Sequence, residues 1–126
     1  MTQPVSVNLA RHYTWGQACD GWVLVGRDDL QIIEERMPPG ATEERHYHQQ
    51  ARQFFYILAG HALLEVEGAA HELTTGQGLE IAPGQAHCIK NISGQDVRFL
   101  VVSHPKSHGD RVLIPPAPPF PPAPPG

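Results

Sequence analysis

Pro38-Pro-Gly-Ala-Thr-Glu-Glu-Arg-His-Tyr-His-Gln-Gln-Ala-Arg-Gln-Phe-Phe-Tyr-Ile-Leu-Ala-Gly60 is the stretch from which the rest of the chain is read. It sets His46 and His48 two residues apart, then Gln53, then an aromatic and aliphatic run that stops at a glycine. Side chains alternate faces along a strand, so His46 and His48 point the same way, about 6.5–7 Å apart along the backbone. Two imidazoles so placed can converge on one ion, and imidazole suits Zn, Fe, Ni and Cu. A third histidine, His87, stands in a second informative stretch, Gly76-Gln-Gly-Leu-Glu-Ile-Ala-Pro-Gly-Gln-Ala-His87-Cys-Ile-Lys-Asn91. The two segments are expected to lie side by side in one barrel and to share a metal.

Outward from these stretches the chain reads as strands throughout. Apolar segments are short and bounded by Gly, Pro or Asp, as in an all-β fold. Strands are expected at 22–26, 30–37, 43–48, 53–59, 62–67, 71–73, 79–81, 86–92 and 97–103, with turns at the spacing of a sandwich or barrel. No window of a dozen residues carries a helical period. Strand parity turns Gln53, Phe55 and Ile57 inward with the histidines, and Phe54, Tyr56 and Leu58 outward. That much outward apolar surface predicts an isologous homodimer with this strand near the interface. Phe55, Ile57 and Phe99 are expected to line the metal pocket.

At 126 residues the chain makes one domain with a core large enough to stand without disulfides. The barrel is assigned to residues 1–114. From Pro115 to Gly126 eight of the twelve residues are proline. This tail is expected to be extended polyproline II, either a ligand for a proline-recognising groove or a linker and surface strap. Net charge is −4 with acids and bases mixed, which leaves no basic stripe for nucleic acid. Neither a signal-peptide core nor a membrane-length apolar run occurs. The two cysteines, Cys19 and Cys88, have no framework spacing and suit a reducing compartment, so the expected location is the cytoplasm.

Together the two stretches resemble the cupin superfamily. Its first motif runs glycine, five residues, His-x-His, three or four residues, Glu, six residues, glycine; here it reads Gly40, His46-Tyr-His48, Gln53, Gly60 in the same register. Its second runs glycine, five residues, Pro-x-Gly, two residues, His, three residues, Asn; here it reads Gly76, Ala82-Pro83-Gly84, His87, Asn91. Ala82 replaces a proline, and Gln53 replaces the acidic ligand. Arg52 to Leu58 and the ending Phe99 to Arg111 are similar to a group of small single-domain bacterial cupins. The resemblance implies a double-stranded β-helix (cupin, jelly-roll) barrel holding one divalent metal, Zn, Ni, Fe or Mn, on His46, His48, Gln53 and His87.

A glutamine in place of the carboxylate leaves the ion its full charge, which favours Lewis-acid work over cycling through a trivalent state. The same ligand set is similar to that of the cupin of pectin and alginate breakdown that linearises unsaturated monouronates. The expected function is therefore metal-dependent isomerase or lyase chemistry on a small oxygen-rich metabolite such as a sugar acid or keto acid. A non-haem iron dioxygenase and a non-catalytic small-ligand sensor are the alternatives. His104, His108 and Arg111 are candidate acid/base or anchoring groups at the mouth. Glu35, Glu44 and Tyr56 are further candidates whose facing the sequence leaves open, and Asp110 is expected to be an ion-pair partner or loop anchor.

Overall fold

A computed structural model describes residues 2–114; the proline-rich tail at 115–126 lies outside the described residues. The described residues form eleven strands and no helix: β1 (Arg11–Trp15), β2 (Cys19–Gly26), β3 (Gln31–Met37), β4 (His46–His48), β5 (Arg52–Ala59), β6 (His61–Val66), β7 (Ala69–Thr74), β8 (Gly78–Ile81), β9 (His87–Lys90), β10 (Val97–His104) and β11 (Arg111–Leu113). They build a six-stranded sheet in the order β1-β2-β3-β10-β5-β8 and a five-stranded sheet in the order β11-β4-β9-β6-β7. Every pairing is antiparallel. This is the double-stranded β-helix expected from the sequence.

The side-chain alternation of β5 fixes which face is the core. Gln53, Phe55 and Ile57 are buried, while Phe54, Tyr56 and Leu58 are exposed on the other face. Strand β10 repeats the pattern through Val97, Phe99, Val101 and Ser103, and registers Phe99 with Ile57 and Val101 with Phe55. Leu64 and Ile89 supply the facing layer from β6 and β9. A fully buried Phe, Leu or Ile contributes about 1.5–3 kcal/mol relative to exposure, so this layer carries much of the fold's stability.

Two strands escape the sequence reading. Strand β1 is an edge strand whose residues are half-exposed or exposed, so no hydrophobic run marks it. Its side chains still alternate, and Tyr13 and Trp15 reach inward. Gly21 makes room for this, because a Cβ there would lie 2.2 Å from the Tyr13 ring. Strand β11 is three residues long and, among the described residues, pairs only with β4. At the other end, Gly60 links β5 to β6 with φ +98°, and a Cβ there would come 2.7 Å from the Asp96 carbonyl oxygen. Only glycine satisfies both constraints.

Candidate metal centre

Strand register brings the three histidines together from two segments. His46 and His48 share the inner face of β4, and His46 stands directly opposite His87 on β9. The ring centroids are 4.4 Å apart for His46–His87, 5.0 Å for His46–His48 and 5.9 Å for His48–His87. One nitrogen from each ring lies within 4.8 Å of the others, close enough for one ion to be reached by all three. All three rings are buried, with His87 fully so.

Backbone carbonyls set two of the tautomers. His46 Nδ1–H donates to Glu44 O at 2.9 Å, and His87 Nδ1–H donates to Gln85 O at 2.9 Å. Each ring then presents its Nε2 lone pair, the arrangement in which a metal-binding histidine is held by a partner on its other nitrogen. Arg111 Nη2 reaches the same Glu44 carbonyl at 3.5 Å. Burial depresses the His46 pKa to about 3, its neighbours His87 and Arg111 adding to the effect against the Glu44 hydrogen bond. Burial likewise takes His48 down to about 4 and lowers His87. The trio is therefore neutral at ordinary pH, as metal ligands must be.

Gln53 enters from the opposite sheet. It registers with Ser103 on β10 and Ile81 on β8, and its Nε2 donates to Ser103 Oγ at 3.0 Å. That bond turns the carbonyl Oε1 away from Ser103. Gln53 Oε1 and His87 Nε2 are both buried without a hydrogen-bond partner. Buried polar atoms are rarely left so, and an amide oxygen with imidazole nitrogens is a donor set that a divalent transition ion satisfies. The residues present fit such an ion.

His46, His48 and Gln53 open onto a cavity of about 500 Å³. Phe55, Ile33, Val23, Val101 and Trp15 give it apolar walls. The expectation that Ile57 and Phe99 line it is corrected. Both are completely buried in the core below, where Phe99 stacks on Phe55 at 5.9 Å, and only Phe55 reaches the cavity.

His108 and Arg111 do line the cavity, whereas His104 lies on the outer face with its ring against Asp29 O. Asp110 is a loop anchor: its carboxylate accepts from the N–H groups of Gln49, Gln50 and Ala51, each at 2.9 Å. Burial pushes the Asp110 pKa up, but these three hydrogen bonds outweigh it and hold the carboxyl below its ordinary value. Glu44 contributes its backbone carbonyl, and Tyr56 points out of the barrel.

Glu35, Glu43 and Tyr13 also face the cavity. Glu35 could have been found by parity, since it follows Ile33 and precedes Met37 on one face of β3. Glu43 sits in the irregular segment before β4, where alternation gives no guide, and Tyr13 belongs to the edge strand without an apolar run. Burial, with Arg111 opposing it, raises the Glu43 pKa to about 7. Burial and the neighbouring Glu43 raise Glu35 well above the carboxylate range.

Residues 33–103 match a family model described as the cupin domain. The chain belongs to the cupin family. An uncharacterized protein of Methanocaldococcus jannaschii is 29% identical over 84 residues, covering 66% of this chain and 67% of that one. The chain spans about half the length of the other curated relatives it matches. Among solved structures, the polyketide cyclase RemF from Streptomyces resistomycificus superposes with a TM-score of 0.79 at 20% identity, covering 93% of this chain and 88% of that one. KdgF from Halomonas sp. superposes with a TM-score of 0.77 at 16% identity, covering 84% and 96%. At such identities the likeness speaks for the fold. The motif spacing and the cavity therefore carry the argument for the site.

Proposed function

We propose that this cupin is a metal-dependent enzyme in which His46, His48, Gln53 and His87 hold one divalent transition ion and a small oxygen-bearing molecule reacts in the adjoining cavity. The observation that carries the reading is the convergence of three neutral imidazoles, with Gln53 and its partnerless carbonyl oxygen lining the same cavity as His46 and His48. When bound, the ion supplies Lewis acidity, polarising a carbonyl or hydroxyl oxygen of the substrate. Four neutral ligands leave its charge undiminished, where a carboxylate in place of Gln53 would remove one unit. Isomerase or lyase chemistry fits this better than redox cycling, because a trivalent state gains least from neutral ligands.

The chain's own residues complete the setting. The Glu44 and Gln85 carbonyls hold the imidazoles in register, and Ser103 fixes the amide plane of Gln53. Phe55 and Val101 keep water from the inner wall, and His108 and Arg111 stand at the cavity where a substrate would enter. The non-catalytic alternative uses the same cavity and differs only in releasing its ligand unchanged.

Elemental analysis of the purified protein, beside Gln53→Glu and His48→Ala variants, tests the reading. We expect about one equivalent of a first-row metal in the wild type, most of it lost in His48→Ala, and tighter retention in Gln53→Glu. Iron would direct attention to oxygen consumption; zinc, nickel or manganese would direct it to isomerisation of sugar acids and keto acids. A protein that stays metal-free after reconstitution with each ion overturns the proposal.

A further inference from the structure

The cavity is longer than the metal centre needs. The inner face of the large sheet runs in rungs: Gln31, Ser103 and Gln53 share one, Ile33, Val101 and Phe55 the next, and Glu35, Phe99 and Ile57 the one after. Gln53 marks the metal end. Glu35 lies four residues along β3 from Gln31, about 13 Å further down the strand. Apolar side chains separate the two, and Tyr13 stands beside Glu35, packed over Gly21. A volume of about 500 Å³ lies within the roughly 300–1,000 Å³ of sites that enclose drug-sized ligands.

We infer that Glu35 is a second anchor in this cavity, accepting a hydrogen bond from a hydroxyl or amine at the far end of a ligand whose middle is apolar. The metal-centred reading is what puts oxygen donors at the ligand's other end; the Glu35 anchor stands on separate observations. Its carboxyl faces the cavity and has no hydrogen-bond partner among the described residues, whereas the outward Glu34 on the same strand is paired with Arg98. Burial and the nearby Glu43 make it costly to keep as an anion, and the half-exposed carboxyl turns to the cavity and not to another group of the protein. The walls next to it, Ile33, Val23 and Trp15, are apolar; the polar groups that share this end with Glu35 are the Tyr13 hydroxyl and Glu43, whose Oε1 is buried without a partner. A ligand with a methyl or ether group at that end would leave the carboxyl unanswered, and sites of this kind discriminate strongly against the analogue that lacks the donor. Tyr13 and Trp15 come from β1, outside the 33–103 segment shared with the family, so this end of the cavity is built partly by a segment beyond that match.

Calorimetric titration of the full chain with 2-phenylethanol, 2-phenylethylamine and the methyl ether of 2-phenylethanol tests this. Each titration is run on metal-free and on zinc-treated protein. We expect the alcohol and the amine to bind about tenfold more tightly than the ether in both forms. In Glu35→Leu that preference should shrink to within about twofold, and the ether should bind no worse than in the wild type. Glu35→Leu should also melt no lower than the wild type, which separates loss of the anchor from loss of the fold; Glu35→Gln, which keeps an acceptor, should retain part of the preference. Equal binding of the three probes, no binding of any at millimolar concentration, or a preference that survives Glu35→Leu overturns the inference. If zinc is never taken up yet the preference is present and depends on Glu35, the metal-centred reading fails and the anchor stands.

Discussion

Removing the metal should lower the melting temperature by an amount that the linkage between binding and folding makes calculable. Gln53 Oε1 and His87 Nε2 are buried and without partners. Each such atom costs about 1–3 kcal/mol when nothing answers it, so the metal-free fold carries several kcal/mol of unanswered polarity. An ion present at a thousand times its dissociation constant adds about 4 kcal/mol to the folded state. For a domain of this length 1 kcal/mol corresponds to roughly 4 °C, which makes the expected difference about 16 °C between saturated and chelator-stripped protein. Differential scanning calorimetry over a series of metal concentrations reads it directly. Gln53→Leu separates the parts. It removes one orphaned acceptor and leaves only a Ser103 hydroxyl to find a new partner, so its metal-free melting point should stay within about 4 °C of the wild type. Its metal-dependent increment should be much smaller. A wild-type melting point indifferent to metal refutes the reasoning as a whole; a Gln53→Leu protein with the full increment refutes the role given to Gln53.

Four further outcomes follow from other parts of the molecule. The metal-free protein should lose stability as pH falls from about 6 toward 4: unfolded histidines titrate near 6.5, whereas burial holds His46 near 3, His48 near 4 and His87 below its ordinary value, so at these three sites the unfolded chain takes up protons first, against a smaller opposite effect of Glu35 and Glu43, whose raised pKa values let the folded chain bind protons first. Urea midpoints across that range check it, and a flat profile would contradict it. Asp110→Ala should cost about 1–2 kcal/mol and loosen residues 49–51, visible as faster amide exchange at three N–H groups that the carboxylate now holds. Gly60→Ala should cost about 2–4 kcal/mol in a denaturant titration, because it meets both a positive φ and the Asp96 carbonyl. The exposed row Phe54, Tyr56 and Leu58 predicts a dimer by light scattering, and Tyr56→Glu should weaken it at least tenfold; a wild-type monomer at high micromolar concentration counts against the dimer.

What the sequence disclosed and what it withheld follow one rule: information survives where a residue's type and its position in a period agree. The β5 segment alternates so strictly that the inward set Gln53, Phe55 and Ile57 is legible without coordinates, and β10 repeats it. The histidines are legible because strand parity and motif spacing give the same answer. By contrast, β1 is an edge strand of half-wet residues, and nothing in Arg-His-Tyr-Thr-Trp marks a buried side. Phe99 shows a subtler limit. Parity places it inside, as the structure does, but parity cannot tell the rung that borders the cavity from the rung beneath it. That distinction depends on how far the sheets close, which Phe55 stacked on Phe99 decides. Glu43 is missed for another reason: it lies just before a three-residue strand, where no period has begun.

The division between shared and separate segments has a consequence for how specificity is encoded. The three histidines and Gln53 all fall within residues 33–103, as do the carbonyls of Glu44 and Gln85 that orient two of the rings. Tyr13 and Trp15 come from β1, while His108 and Arg111 come from the turn before β11 and its first residue; all four lie outside that segment and all line the cavity. The proposed ion site is therefore fixed by the part of the chain whose geometry is most constrained, since moving any of these residues would disturb strand register in one of the two sheets. The ends and rim of the cavity are fixed by an edge strand and a short strand that, among the described residues, pairs only with β4, where substitutions disturb few neighbours. A barrel arranged this way can change which molecule it receives while keeping the donor set intact. Exchanging residues 11–15 with those of another cupin should then alter ligand preference far more than metal content, and equal loss of both would mean that the edge strand supports the ion site itself.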